Sequence, residues 1–134
     1  MEGHLPINHT PHAVIIFVLT ENKPACSITL PRKEPVLRLA NAEQVTLQPI
    51  IATADGSYAI PVVTPPCYTD LSPEGAAGCG ASIVVSTVVA EWLVAHPEAA
   101  PQVREIYVPD TGPQGVVRDD KGVIIGTRRL IKYK

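Results

Sequence analysis

A chain of 134 residues that is 46% apolar can bury one core without disulfides or metal, which excludes an intrinsically disordered protein. A net charge of −2 and an aromatic content of 4% lack the basic stripe and interleaved aromatics that nucleic acid requires, so nucleic acid is not an expected partner. The 14 prolines each remove a backbone donor and fix one dihedral, which favours short strands, turns and ordered loops over long helices.

At the N-terminus no basic stretch precedes a long apolar one, and Ala13 to Leu19 is too short to span a bilayer, so no membrane association is expected. That run, AVIIFVL, is β-branched and apolar without alternation, the pattern of a strand buried on both faces. Glu21-Asn22-Lys23-Pro24 reads as a turn, and Cys26, Ile28 and Leu30 alternate with Ser27 and Thr29 to complete a hairpin. Leu37 and Leu39 flank Arg38 in a further short strand. Val45, Leu47 and Ile51 continue the alternation, with Pro49 marking an edge or a bulge. Asp55-Gly56 is a turn before the strand Tyr58 to Val63. From Thr64 to Gly80 the chain is rich in proline and glycine and has no hydrophobic period, which predicts a flap or connection over one end of a sheet.

Ala81 to Ala95 reads as a strand, Ile83 to Val85, feeding a helix that Ser86 or Thr87 caps. Val88, Trp92 and Ala95 share one helical face, and Val89 and Leu93 the next. With Glu91 as its only charge, the helix is expected to be buried around most of its circumference. His96-Pro97 ends it. Glu105 to Val108 is the following strand, and strand, helix and strand in this order make one right-handed βαβ unit. After PDTGP, a strand at Val116 to Arg118, the turn Asp119-Asp120-Lys121-Gly122 and a strand from Val123 to about Ile131 form a C-terminal hairpin. The expected fold is a single β-rich α+β domain over residues 1–134, with one βαβ unit and that hairpin.

Asn8-His9-Thr10-Pro11-His12, the segment ASIVVSTVVAE and the C-terminal stretch VPDTGPQGVVRDDKGVIIGTRRL resemble the opening, central and closing signatures of a group of short phage and prophage proteins. The resemblance covers both ends and the central helix, and it implies a phage origin. The stretch from Cys26 to Gly80 lies outside it.

Candidate binding residues cluster in the C-terminal half. Arg118, Arg128 and Arg129 present planar donor forks that match phosphate or carboxylate. In a regular hairpin Arg128 and Arg129 point to opposite faces, so at most one joins Arg118. The competing structural reading pairs one arginine with Asp110, Asp119 or Asp120. The loop after the second strand of the βαβ unit lies where open α/β sheets bind ligands. There Asp110 can accept from ribose hydroxyls or a base edge, while Thr111 and the Gly112 amide can donate to phosphate. Ser86 and Thr87, at the neighbouring strand-to-helix junction, add a helix N-terminus. The structural alternative for PDTGP is a rigid turn in which Asp110 satisfies local amides. Tyr68, in the Pro/Gly-rich segment, is placed to stack on a base.

Other chemistries find less. His4, His9 and His12 match no closed zinc spacing even with Cys67 or Cys79, so no metal is expected. The chain has no phosphate-binding loop, nucleophile elbow or His-Glu-x-x-His helix, and no cofactor or catalytic residue is assigned. Cys26, Cys67 and Cys79 form no Cys-x-x-Cys pair, which points to a reducing compartment, the cytosol of the host for a phage protein. The expected function is binding of a small anionic, nucleotide-like ligand without chemistry, such as a host signalling nucleotide. A homo-oligomer is expected, and the alternative is a structural or interaction module of a larger assembly. A thiol- or metal-dependent hydrolase built on Cys79 is the third reading.

Overall fold

β-Branched runs cut short by proline and glycine leave room, among the described residues, for a single α-helix of nine residues beside many strands. The computed structural model describes residues 5–20, 23–72 and 79–134, and of residues 19, 20 and 23–25 the backbone alone. The strands are β1 (Ile7–Asn8), β2 (Val14–Thr20), β3 (Lys23–Leu30), β4 (Arg38–Glu43), β5 (Thr46–Ile51), β6 (Ala59–Val63), β7 (Cys67–Ser72), β8 (Ser82–Val84), β9 (Glu105–Pro109), β10 (Val116–Arg118), β11 (Ile124–Thr127) and β12 (Leu130–Lys132). Helix α1 (Thr87–Ala95) lies between β8 and β9. The protein is a β-rich α+β fold. Its contacts fall into a main unit, Met1–Arg38 with Leu71–Lys134, and a smaller one, Leu39–Asp70.

The main unit holds two sheets, one in the order β1-β8-β9-β12 and the other β10-β11-β2-β3. β8 and β9 pair in parallel, Ile83 opposite Ile106, so β8-α1-β9 is the expected βαβ unit. Val84 packs with Val14 and Leu30 of the second sheet, joined by Ile16, Tyr107 and Leu130. Alternation along β8 and β9 turns Ile83, Val85, Ile106 and Val108 to the opposite face, and all four are buried. The buried side of α1, Val89, Ala90 and Leu93, supplies the rest of this core, with Leu93 and Ile106 lining one small space. The first sheet is therefore sandwiched between α1 and the second sheet. No helix among the described residues is long and apolar enough to cross a membrane.

Local signals hold at several points. β2 and β3 pair antiparallel from Val14↔Leu30 to Thr20↔Lys23, while Glu21 and Asn22 of the expected turn lie outside the described residues. β10 and β11 form the C-terminal hairpin, closed by Gly122 at φ +81°, a left-handed conformation that glycine adopts without penalty. The Asp119 carboxylate accepts from the amides of Lys121 and Val123 inside that turn. His96 ends α1, its ring stacked on Trp92 with centroids 4.1 Å apart.

Four expectations need correction. α1 is buried on one side only, and Val88 is 56% exposed. A nine-residue helix packed on a sheet has one core face, so the rest of its valines meet solvent however apolar they are. β2 is half-buried from Ile15 to Val18, because Cys26 to Thr29 of the neighbouring β3 are themselves exposed. The segment Thr64 to Gly80 is not wholly irregular: Cys67–Ser72 forms β7, paired with β4, and residues 73–78 lie outside the described residues. Finally, the strand expected from Val123 to Ile131 breaks after Thr127, where the chain leaves the second sheet and enters the first as β12.

In the smaller unit, β5 and β6 form an antiparallel hairpin and β4 pairs with β7. The β5–β6 register shifts between Leu47 and Ile50, so Pro49 sits in a bulge. Tyr68 lies in β7.

Candidate functional site

A cleft of about 510 Å³ opens in the main unit where both strands of the βαβ unit end. Ser86 and Thr87 line it after β8, with Pro109 at the end of β9 and Thr111 just beyond it. The facing wall comes from Ala13, Val14 and Ile15 at the start of β2 and from Ile124 to Thr127 of β11. Thr10 and His12 complete the rim. All three segments of the Asn-His-Thr-Pro-His, VVST and PDTGP types thus meet at one place.

The loop from Asn8 to His12 is shaped by the Asn8 side chain, which is 1% exposed. Its Nδ2 donates to the carbonyls of His12 (2.7 Å) and Leu30 (2.9 Å). Its Oδ1 accepts from the amide and hydroxyl of Thr10, at 2.9 and 2.6 Å. An asparagine followed two residues later by threonine is the spacing of an Asx turn, and burial makes the turn rigid. His9 is fully buried next to it. Its Nδ1 lies 2.8 Å from the Pro35 carbonyl and 3.1 Å from that of Lys33, so Nδ1 carries the proton in the neutral ring, and Nε2 has no partner among the described residues. His12, by contrast, is exposed at the cleft rim. His9 and His12 therefore do not converge, His4 lies outside the described residues, and the described residues hold no cluster of three metal-ligating side chains.

Asp110 braces the cleft from behind. It is buried, and its Oδ2 accepts from Arg129 Nε at 2.6 Å while Oδ1 accepts from the Gly112 amide at 2.9 Å. A Cβ on Gly115 would stand 2.3 Å from the Asp110 carboxyl carbon, so only glycine lets the loop close over this group. Thr127, also buried, places its hydroxyl 2.7 Å from the Asp110 carbonyl, 2.9 Å from that of Arg129 and 3.2 Å from that of Gly115. One hydroxyl proton serves these oxygens in turn, and the knot fixes the point at which β11 becomes β12. The Arg129 guanidinium, followed by the Gly112 amide, holds the Asp110 carboxyl below the ordinary aspartate range. A lowered folded-state pKa means the pair stabilises fully above the ordinary range and loses that contribution as pH falls through the lowered value. In a carboxyl-carbon NMR titration, Arg129→Gln is expected to move the Asp110 midpoint upward. The Glu105 midpoint, lowered chiefly by the Tyr107 hydroxyl and next by Lys132, is expected to stay in place. An unmoved Asp110 midpoint would show that the ion pair does not form in solution.

Of the candidate residues, Ser86, Thr87 and Thr111 come together on the cleft. Asp110 and the Gly112 amide are bonded to each other, as the structural alternative for the PDTGP loop has it. Arg129 is tied to Asp110, and Arg118 donates from Nη1 to the Gly122 carbonyl at 2.8 Å, pinning its own hairpin. The Arg128 side chain is exposed and has no bonding partner among the described residues, while its amide donates to the Gly115 carbonyl. None of the three arginines lines the cleft. Tyr68 belongs to the smaller unit and does not line the cleft. Cys79 is half-buried, and desolvation pushes its thiol up to about 11, which leaves little thiolate for a nucleophile at neutral pH.

Sequence reasoning passed over Asn8, Thr127 and Gly126. The Asx spacing was a usable signal for Asn8, and a glycine inside the strand pattern Ile124–Thr127 was one for Gly126. Thr127 had none, since its partners become neighbours only on folding.

The fold and the cleft together define a β-rich α+β protein with a hydroxyl-lined crevice at the carboxyl ends of a βαβ unit. Comparison with protein-family models, curated proteins and solved structures finds no match to this chain.

Proposed function

We propose that the protein binds a small nucleotide-like anion in this cleft, without chemistry, and that as a phage accessory protein it sequesters such a nucleotide in the host. The observation that carries the reading is a set of uncommitted polar side chains on an otherwise apolar crevice. Ser86, the N-cap of α1, makes no side-chain capping bond. The side chains of Thr87, Thr111 and His12 likewise bond no described residue, and all four line the cleft. The volume falls within the range of small-molecule sites, roughly 300–1,000 Å³. Among the described residues no carboxylate lines it. Asp110, between the lining residues Pro109 and Thr111, is compensated by Arg129, so negative charge on a ligand meets the amino end of α1 without opposition from it. Val14, Ile15, Val108, Ile124 and Ile125 offer a flat aliphatic wall to a base.

The phosphate is thus assigned to helix amides and hydroxyls, with Arg118 and Arg129 as braces of the scaffold. Titration calorimetry against a panel of mono-, di- and cyclic nucleotides tests this with the Ser86→Ala/Thr111→Val variant. Because the Ser86 hydroxyl caps nothing, helix stability is preserved. The variant is expected to bind at least about 10-fold more weakly, the value of a lost hydrogen bond to a charged group. Equal affinity in wild type and variant, or no binding by either, would reject the reading.

A further inference from the structure

The charge available around the cleft limits which nucleotide it can hold. Of the chain's 11 lysines and arginines, every one but Lys23 has a described side chain, and none of these lines the cleft. Lys23 pairs with Thr20, six residues along β2 from the lining residue Val14, so its backbone stands roughly 20 Å away. Beside the cleft Arg129 and Asp110 neutralise one another, and Arg118 donates to its own hairpin. What remains is the amino end of α1, worth about half an elementary charge. It is uncommitted, because the first turn holds no acidic residue and Ser86 makes no side-chain capping bond. The hydroxyls of Ser86, Thr87 and Thr111 add donors but no charge.

The rest of the lining is aliphatic, with Val14, Ile15, Ile124 and Ile125 facing the two junctions. Each charge that enters such a site gives up hydration, and a charge without a counter-charge there is costly. A phosphodiester carries a single negative charge, which the helix end and a few donors can match. A terminal phosphomonoester carries about two at neutral pH, and a polyphosphate more. A cyclic nucleotide also keeps its phosphate fused to the ribose, so phosphate and base form one compact body between the hydroxyls and the aliphatic wall that faces them.

We infer that the cleft selects a singly charged phosphodiester, a cyclic mononucleotide, against nucleotides that end in a free phosphate or a polyphosphate. The inference rests on the nucleotide reading of the cleft and supplies its ligand class.

Calorimetry at about pH 8, above the second ionisation of a monophosphate at about 6, tests it. The cyclic 3′,5′-monophosphate, the 5′-monophosphate and the triphosphate are compared within each of the adenine, guanine, cytosine and uracil series. In the series that binds, the cyclic nucleotide is expected to be at least about 10-fold tighter than the monophosphate and about 100-fold tighter than the triphosphate. His12→Lys separates charge from shape. The side chain is exposed at the rim, and what the fold takes from this residue is its carbonyl, the acceptor for Asn8 and Thr10, which lysine keeps. Twice the ligand charge gains twice the free energy from an added cation, so the monophosphate is expected to tighten by about 10-fold and the cyclic nucleotide by about 3-fold. A monophosphate or triphosphate that wild type holds as tightly as its cyclic counterpart would overturn the ligand class while leaving a nucleotide site in place. Binding of nothing in any series would overturn both readings. A preference that His12→Lys leaves unchanged would assign it to shape and overturn the inference from charge.

Discussion

Asn8→Ala is expected to lower the stability of the main unit by about 3–5 kcal/mol, read from urea unfolding. The side chain is 1% exposed and uses both ends. Truncation strands the Leu30 carbonyl, weakens the hold on the His12 carbonyl and frees the Thr10 amide. Each buried group left without a partner costs about 1–3 kcal/mol, far more than the side chain's own packing. Thr10 offsets part of the loss, because its hydroxyl also donates to the His12 carbonyl at 2.9 Å. Thr10→Val is accordingly expected to cost less, about 1 kcal/mol. Asn8→Asp separates hydrogen bonding from shape. It preserves the acceptor for Thr10 but aims a carboxylate at two carbonyl oxygens, so it is expected to be at least as damaging as alanine. A cost below about 1 kcal/mol for Asn8→Ala would mean that the buried turn does not organise this loop.

Gly126→Ala is the second large effect, with an expected cost of about 3 kcal/mol or more. A Cβ there would lie 2.6 Å from the Ile15 carbonyl oxygen and 2.6 Å from a ring carbon of Phe17. The ring can turn, but the oxygen belongs to the backbone of β2, to which β11 is hydrogen-bonded in parallel. Relief therefore needs the two strands to part. Both Ile15 and Gly126 line the cleft, so the same substitution is expected to abolish ligand binding wherever the chain remains folded. Gly122→Ala is the comparison: it meets open space, and its strain is that of the left-handed backbone alone, about 1 kcal/mol. Equal costs for the two substitutions would show that β11 and β2 do not approach as closely as the geometry has them.

The two halves of the candidate site differed in how far the chain announced them. Ser86 and Thr87 were legible because a β-branched run, a capping residue and a helix closed by His96-Pro97 follow one another within fifteen or so residues, all governed by local preferences. The loop at Thr111 followed from the same βαβ unit. The opposite wall was not legible. β11 pairs with β2, at the other end of the chain, and β1 is a two-residue strand held by its pairing with β8. Pairings of that range leave no mark on neighbouring residues.

The arginines make the same point from the side of charge. Their number and spacing stood out, but a regular hairpin through Val123 to Ile131 would have set Arg128 and Arg129 on opposite faces of one sheet. The break at Thr127 instead carries Arg129 back to Asp110 and leaves Arg128 in solvent. The sequence by itself determined the β-rich α+β class, the βαβ unit, the turns at Asp55-Gly56 and Asp119 to Gly122 and an irregularity at Pro49, because each rests on backbone preferences acting over a few residues. Only the tertiary structure decided that Asp110 and Arg129 brace one another and that Asn8 shapes the loop at the cleft rim. Those outcomes depend on register and on where a strand changes sheet, and a shift of one residue in either would have reversed every side chain concerned.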